Sequence, residues 1–509
     1  MTDRRPSASC LDGASRWSCF AELLLRLSAP LSTMVLARLL IPEAFGLAAA
    51  VAMVLSLIEI VQDAGFRTFL IQHPFRSQGE LERATAVALT STLVLSLLLC
   101  AVLLLAREIL ASWAGMENAA PALALAAMSL PFSACSGVMN ARFRREFRFR
   151  LLFRVRAAEA FCPLFLSVPL ALCWPSFWAL VAGMLGRTLL RFFLLARLAR
   201  RERMRGLHLS FDAALFSEML GFSLWTSVEF FVIWLCGAAP LAIVGRMLDA
   251  HALGLYSTTV TTAAQIMATV SAAFLPVAFS AFSRVQDSTA ELRDSLLLFQ
   301  RRMAFFLFPL GTGVLLFSDM VVAFLLGPHW QEAVPFLGAY CAALTFVHSI
   351  CHLSSEAIRA VGQPRRSAML HGVYGVLHCG LVYWAASRSF SCLAWVSVLS
   401  CGLFCVIHAV CLYRLLGLTA GQMIVNMRFP LLSSLTMLGF GAWLRQGHDS
   451  LLWDAACALL CISVYLGLFA LWRNSRQELG DLVRMFRGRK GEDGRCMKPN
   501  FGEDVSTPS

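Results

Sequence analysis

Long apolar runs, each closed by a short polar turn, recur from near the start of the sequence to about residue 472. A helical run of about 20 apolar residues matches the hydrocarbon thickness of a bilayer. On that criterion spans fall at roughly 17–40, 47–66, 85–106, 120–139, 157–174, 176–198, 217–244, 253–278, 303–327, 332–354, 368–386, 391–413, 429–445 and 449–472. In hydrocarbon a backbone amide finds no water, so each run must close its hydrogen bonds within itself. A membrane barrel would need short strands of alternating polarity, and the sequence has none. The expected fold class is all-α, a polytopic membrane protein with about 14 transmembrane helices.

Composition excludes the soluble alternative. Hydrophobic residues make up 58% of the chain and charged residues only 15%, against about 25% charged in soluble domains. A soluble chain of 509 residues would divide into several domains, each needing a polar surface that this sequence does not supply. The net charge is +12, carried almost wholly by Arg, with Lys only at Lys490 and Lys498. Binding nucleic acid would require a basic soluble face. Here the cations sit in short turns between apolar runs, which suits anionic membrane lipids and no nucleic acid. The 17 Cys include Cys100, Cys135, Cys162, Cys236 and Cys405 inside apolar runs. Without a CxxC pair they read as small reduced hydrophobes rather than disulfides or metal ligands. Arg4, Arg5 and Arg16 precede a run too long for a cleavable signal.

Arg placement sets the expected orientation. With both termini cytoplasmic, only Arg107, Arg246, Arg388 and Arg445 fall in turns on the outer side, and Arg26, Arg38, Arg187 and Arg191 lie within spans. The last two spans carry less loop charge, so twelve or thirteen spans stay open. Arg38-Leu-Leu-Ile-Pro-Glu-Ala-Phe-Gly-Leu47 aligns with Arg246-Met-Leu-Asp-Ala-His-Ala-Leu-Gly-Leu255 at an offset of 208. The matches are Arg38/Arg246, Leu40/Leu248, Ala44/Ala252, Gly46/Gly254 and Leu47/Leu255. Both segments fall in outer turns, six spans apart, which describes a parallel repeat about an axis along the membrane normal. The expected domains are a cytoplasmic N-terminus (1–16), an N-lobe of six spans (17–214), a C-lobe of six (215–415), two further spans (416–473) and a basic tail (474–509). That tail should hold a short helix near 475–488 with disorder beyond.

The first repeat segment, followed by Gln62-Asp63-Ala-Gly-Phe66 and Leu70-Ile-Gln72, resembles the opening of the polysaccharide transporters of the multidrug/oligosaccharidyl-lipid/polysaccharide flippase superfamily. Gly254-Leu-Tyr256, Pro276-Val-Ala-Phe279 with Ser283-Arg284, Gly327-Pro-His-Trp330 and Ala360-Val-Gly-Gln-Pro364 resemble its second half. The likeness spans roughly residues 17–415. It implies two pseudo-symmetric six-helix lobes, often with two more helices, and alternating access around a central cavity in the bacterial inner membrane. It implies a transporter rather than an enzyme, without a cofactor. Its substrate would be an isoprenoid-pyrophosphate-linked oligosaccharide destined for exopolysaccharide, capsule or O-antigen. A polysaccharide polymerase and glycosyltransferases would be its neighbours. Lipid II flipping and cation-coupled drug export stay open within the same superfamily. A membrane-embedded glycosyltransferase or polymerase would need a large catalytic loop, and the loops are short.

Moving a polar headgroup through hydrocarbon needs polar side chains where lipid would forbid them. Arg187 and Arg191, one turn apart on span 6, are candidates for a cationic substrate-binding cavity. The alternatives are a structural pair with Glu159 and snorkelling of Arg191. Arg26 either pairs with Glu22 or meets the substrate phosphate. Glu59, Glu229 and Asp63 are coupling-ion candidates. Asp63 also reaches Arg67, while Glu59 and Glu229 have no local partner and otherwise read as interlobe hydrogen bonds. Asp319 is a further acid near the outer surface. Arg38, Gly46, Arg246 and Gly254 mark the repeat turns. His348 and His352 have a metal pair's spacing, with His371 and His378 following, but lack accompanying acids and read as cavity lining or core. The stretch Ala141-Arg-Phe-Arg-Arg-Glu-Phe-Arg-Phe-Arg-Leu-Leu-Phe-Arg154 sets Phe143, Phe147 and Leu151 on one face and predicts an interfacial helix on an anionic leaflet. It also suits the gathering of pyrophosphate headgroups.

Overall fold

In the computed structural model, the described residues are 28–471, without 29, 64, 114 and 448–450. The described parts of the expected spans are largely helical. In chain order these are α1 (30–39), α2 (Pro42–Asp63), α3 (Phe66–Gln72), α4 (Gln78–Trp113), α5 (Ala120–Ala127), α6 (Leu130–Arg145), α7 (Phe149–Cys173) and α8 (Phe177–Arg201). There follow α9 (Ala213–Met247), α10 (Ala250–Arg284), α11 (Thr289–Leu316), α12 (Ser318–Leu325), α13 (Val334–Phe346), a π-helical turn (Val347–His352) and α14 (Leu353–Ala360). The chain continues through α15 (Pro364–Ala386), α16 (Phe390–Leu416), α17 (Ala420–Asn426), α18 (Arg428–Leu444) and α19 (Leu451–Leu471). Among the described residues no strand occurs, as the hydrogen-bond requirement of lipid demands. Among the described residues, seven helices are long and apolar enough to cross a membrane alone. The number rises to ten if each bent pair is one span, the sharpest bend being 84° between α11 and α12. Arg26, Glu22 and the tail helix near 475–488 lie outside the described residues, as do the side chains of Asp63 and Glu229.

The two repeat segments pack against each other. A Cβ on Gly46 would lie 2.0 Å from the Ala250 carbonyl oxygen, and one on Gly254 would lie 1.8 Å from that of Pro42. Positions 42 and 250, like 46 and 254, are related by the 208-residue offset. Each glycine therefore receives the backbone that its mate presents, as a local two-fold axis requires. Both sites must lack a side chain for α2 and α10 to approach so closely.

The C-terminal pair docks on the second lobe. Tyr465 donates to the Phe305 carbonyl at 2.8 Å. Arg445 binds Asp319 at 2.6 Å and Asp454 at 3.1 Å, and also donates to the Leu316 carbonyl. That contact absorbs Asp319, the additional acid of the sequence reading.

The interfacial helix expected over 141–154 does not form; the segment is a corner between α6 and α7. The Arg148 N–H bonds to the Phe143 carbonyl at 3.0 Å and that of Phe147 to Arg144 at 3.1 Å, the pattern of a Schellman cap. Phe147 takes φ 55° in the position usually held by glycine. The guanidinium of Arg145 fixes the corner by donating to the carbonyls of Leu70, Ile71 and His73. Phe143 is fully buried in α6, whereas Phe147 is 62% exposed, so the predicted common face is divided by the turn.

Candidate functional site

Arg187 opens onto a cavity of about 380 Å³ between the lobes. Its walls come from α1 and α2 (Ser32, Thr33, Phe45), α7 and α8 (Ser167, Met184) and α10 (Ser257, Thr258, Thr261, Thr262, Gln265). Glycine spacing sets α8 against α7: a Cβ on Gly183 would sit 1.9 Å from Ser167 Oγ, and one on Gly186 would sit 2.2 Å from Leu166. Arg187 is exposed and makes no hydrogen bond or ion pair among the described residues. Glu159 feels the charges of Arg191, Arg187 and Arg156, in that order, yet lies within ion-pair distance of none.

Arg191, one turn further on, is held differently. Its Nε donates to Ser136 at 3.1 Å and its Nη2 to Ser133 at 3.4 Å. Ser133 in turn donates to Glu59 Oε1 at 2.8 Å. The carboxylate on α2 and the guanidinium on α8 thus share a hydroxyl on α6.

The polar cavity adjoins an apolar cleft of about 410 Å³ between α1 and α10. Thr33, Thr262 and Gln265 line both spaces, and Ile266, Val270 and Leu310 continue the cleft. The repeat generates an equivalent cleft of about 530 Å³ between α2 and α9, where Val54, Leu57 and Ala242 stand at the positions of Thr262, Gln265 and Met34. Only the first is joined to the Arg187 cavity through polar residues. The line Thr258, Thr262, Gln265, Thr269 was legible as a polar stripe at helical spacing in an apolar run, though sequence reading had not singled it out. Ser133 and Ser136 were missed as well; their spacing on a Pro-broken helix was the available signal.

At the end bearing the repeat turns the lobes are clasped. Arg38 donates to the Phe324 carbonyl at 2.6 Å, and Arg246 to the Trp113 carbonyl at 3.5 Å. The turns they meet are shaped by Gly327 (φ 96°), packed on Arg38, and Gly115 (φ 70°), packed on Arg246. The indole N–H of buried Trp330 donates to the Ala37 carbonyl at 2.8 Å. His251 lies 2.7 Å from Glu43 and 3.3 Å from Glu332, and Glu43 and His251 are themselves repeat mates.

His348, His352, His371 and His378 of the second lobe are buried or half-buried. His348 Nδ1 meets Ser271 Oγ at 2.6 Å, and His371 Nδ1 donates to the Ser367 carbonyl at 2.8 Å. His352 stacks beside His348, and His378 lies flat on Tyr374. His408, not singled out in the sequence, meets Ser354 Oγ at 2.5 Å and stands edge-on to His371. Among the described residues no three His, Cys, Asp or Glu side chains are grouped to hold a metal ion.

Known proteins share this architecture. The lipid II flippase MurJ, in an inward closed conformation, superposes with a TM-score of 0.73 at 14% identity, covering 92% of this chain and 99% of MurJ. An inward-facing multidrug resistance transporter of the MATE family, within the MOP superfamily, superposes with a TM-score of 0.61 at 12% identity, covering 78% and 96%. In sequence, the lipopolysaccharide biosynthesis protein WzxC of Escherichia coli K12 is 21% identical over 356 residues, 70% of this chain and 69% of WzxC. The succinoglycan biosynthesis transport protein ExoT of Rhizobium meliloti is 23% identical over 337 residues, 65% of each chain. The family described as "Polysaccharide biosynthesis protein" matches residues 35–335. With that match over more than half its length, the chain belongs to the polysaccharide biosynthesis protein family.

Proposed function

We propose that this protein is a flippase that carries an isoprenoid-pyrophosphate-linked oligosaccharide from the inner to the outer leaflet of a bacterial inner membrane, with both termini in the cytoplasm. The observation that carries this reading is Arg187, exposed in a hydroxyl-lined cavity beside an apolar cleft. Stripping water from phosphate and sugar is the barrier to unassisted flipping. A cation in a hydrated cavity lowers that barrier, and Ser, Thr and Gln side chains replace water around the sugar hydroxyls. The isoprenoid chain stays in the neighbouring cleft between α1 and α10. The chain would span the membrane fourteen times, with an N-lobe over 17–214, a C-lobe over 215–415 and two additional spans over 416–473.

Alternating access requires the two ends of the lobes to part in turn. The clasp at Arg38, Arg246 and His251 holds the outer end shut in this state, and the cavity then faces the cytoplasm. A cationic cavity repels cationic drugs, which favours an anionic lipid-linked cargo over drug export. Glu59 is our candidate for coupling to protons, because its hydrogen bond through Ser133 ties its charge state to the position of Arg191. Asp63 and Glu229 are the other coupling candidates. Arg26 would add a second cation on span 1. A polysaccharide polymerase and glycosyltransferases would act on either side of the transport step.

Arg187→Ala is expected to leave protein abundance intact and to abolish complementation of a flippase-null strain. Full complementation would remove Arg187 from the mechanism.

A further inference from the structure

A second cationic cavity lies at the α6–α7 corner, outside the site described above. It measures about 690 Å³ and is walled by Arg144, Arg145 and Arg156 with Phe147, Phe149 and Phe153. Among the described residues no carboxylate lines it. The acids of the corner are engaged elsewhere: Glu146 binds Arg142 at 3.0 Å and Glu202 binds Arg148 at 3.2 Å. Arg144 and Arg156 make no hydrogen bond or ion pair among the described residues. The charge of Arg156 bears on Arg144, and the acid that feels Arg156 is Glu159, outside the cavity wall. Like charges raise one another's energy, and an anion placed between them relieves it.

The aromatic wall is held at a cost. A left-handed conformation is unfavourable for a residue with a Cβ, and Phe147 adopts it at φ 55° where glycine would do so freely. Its ring is 62% exposed, so packing does not explain why Phe stands there. Phe147 and Phe149 meet edge to face at 5.9 Å, giving the cavity a firm apolar side next to its guanidinium groups.

We propose that this cavity is a landing site for the diphosphate headgroup of a polyprenyl lipid, occupied before transfer to the Arg187 cavity. The inference rests on the flippase reading. Two guanidinium groups without partners among the described residues match two phosphates, each able to take a paired N–H contact, and the phenylalanines receive the first isoprene units. Arg156 lies on α7 one turn before Glu159, which also feels Arg191 and Arg187. The basic corner is therefore continuous in electrostatic terms with the central cavity.

The test uses the full chain in phosphatidylcholine nanodiscs and a farnesyl diphosphate carrying a photoactivatable diazirine, with adducts mapped by mass spectrometry. Labelling is expected within 147–153 and should fall about tenfold in the Arg144→Gln/Arg156→Gln variant. Should that pair fail to fold, Arg144→Gln alone, at an exposed position, is expected to lose labelling about threefold. Unlabelled farnesyl diphosphate should compete. Labelling that ignores the Gln substitutions overturns the proposal. Equal competition by phosphatidylglycerol, marking an anionic-lipid anchor, or by inorganic pyrophosphate, marking a soluble-anion site, also overturns it. Arg187→Gln separates the two readings: it should stop export while labelling at 147–153 persists. Labelling with export indifferent to Arg187 leaves the landing site and removes the flippase mechanism. Absent labelling with export dependent on Arg187 does the reverse.

Discussion

Arg187 and Arg191 stand one turn apart on α8 and have different surroundings. Arg191 shares two serine hydroxyls with Glu59, so its removal leaves a carboxylate without its relay. Arg191→Ala should therefore lower the melting temperature in detergent, by an amount corresponding to about 1.5–3 kcal/mol. Arg187→Ala, which breaks no hydrogen bond among the described residues, should leave melting unchanged while stopping transport. Thermal scans of both variants beside export assays distinguish a group that holds the fold from one that meets cargo. At the α6–α7 corner, Phe147→Gly should raise stability by about 1 kcal/mol by relieving the left-handed backbone, while weakening prenyl diphosphate labelling. The sequence offered Arg187 as a charge that lipid would not tolerate, and the side chain lines a cavity. It gave no sign of the Glu59–Ser133–Arg191 relay, because the three residues lie far apart in the chain and Ser is unremarkable in an apolar helix.

Among the helices, α2 and α10 are the pair least tolerant of change. Gly46→Leu or Gly254→Leu should drive them apart, destabilising the protein by about 1–3 kcal/mol or more and reducing export. Melting temperature and complementation read both effects. The helices themselves were legible because lipid leaves an apolar run of this length a single way to satisfy its backbone. The α6–α7 corner was not. Its periodic Phe and Arg residues favour a continuous helix, whereas the carbonyls of Leu70, Ile71 and His73, at the end of α3, hold Arg145 where the chain turns. The π-helical turn at Val347–His352 was likewise invisible, since its residues suit an ordinary helix.

For the whole molecule, the contacts at Arg38, Arg246 and His251 bind one lobe to the other at a single end. His251→Ala removes its contact with Glu43 across the lobes and should shift the population toward opening at that end. The expected result is a several-fold faster reaction of Thr33→Cys with a membrane-impermeant maleimide added from outside, followed by mass spectrometry of that residue. An unchanged rate would show that His251 does not hold the lobes.

The pairing of Glu43 with His251 has a consequence for how such a chain can be built. These residues occupy the same place in the two halves and face each other across the axis. A protein assembled from two copies of the first half would oppose carboxylate to carboxylate there, and two copies of the second would oppose imidazole to imidazole. Two carboxylates at that distance repel, and two imidazoles would each lack the acid that His251 meets in Glu43. The halves have become acid and base to one another, so neither can stand in for its counterpart.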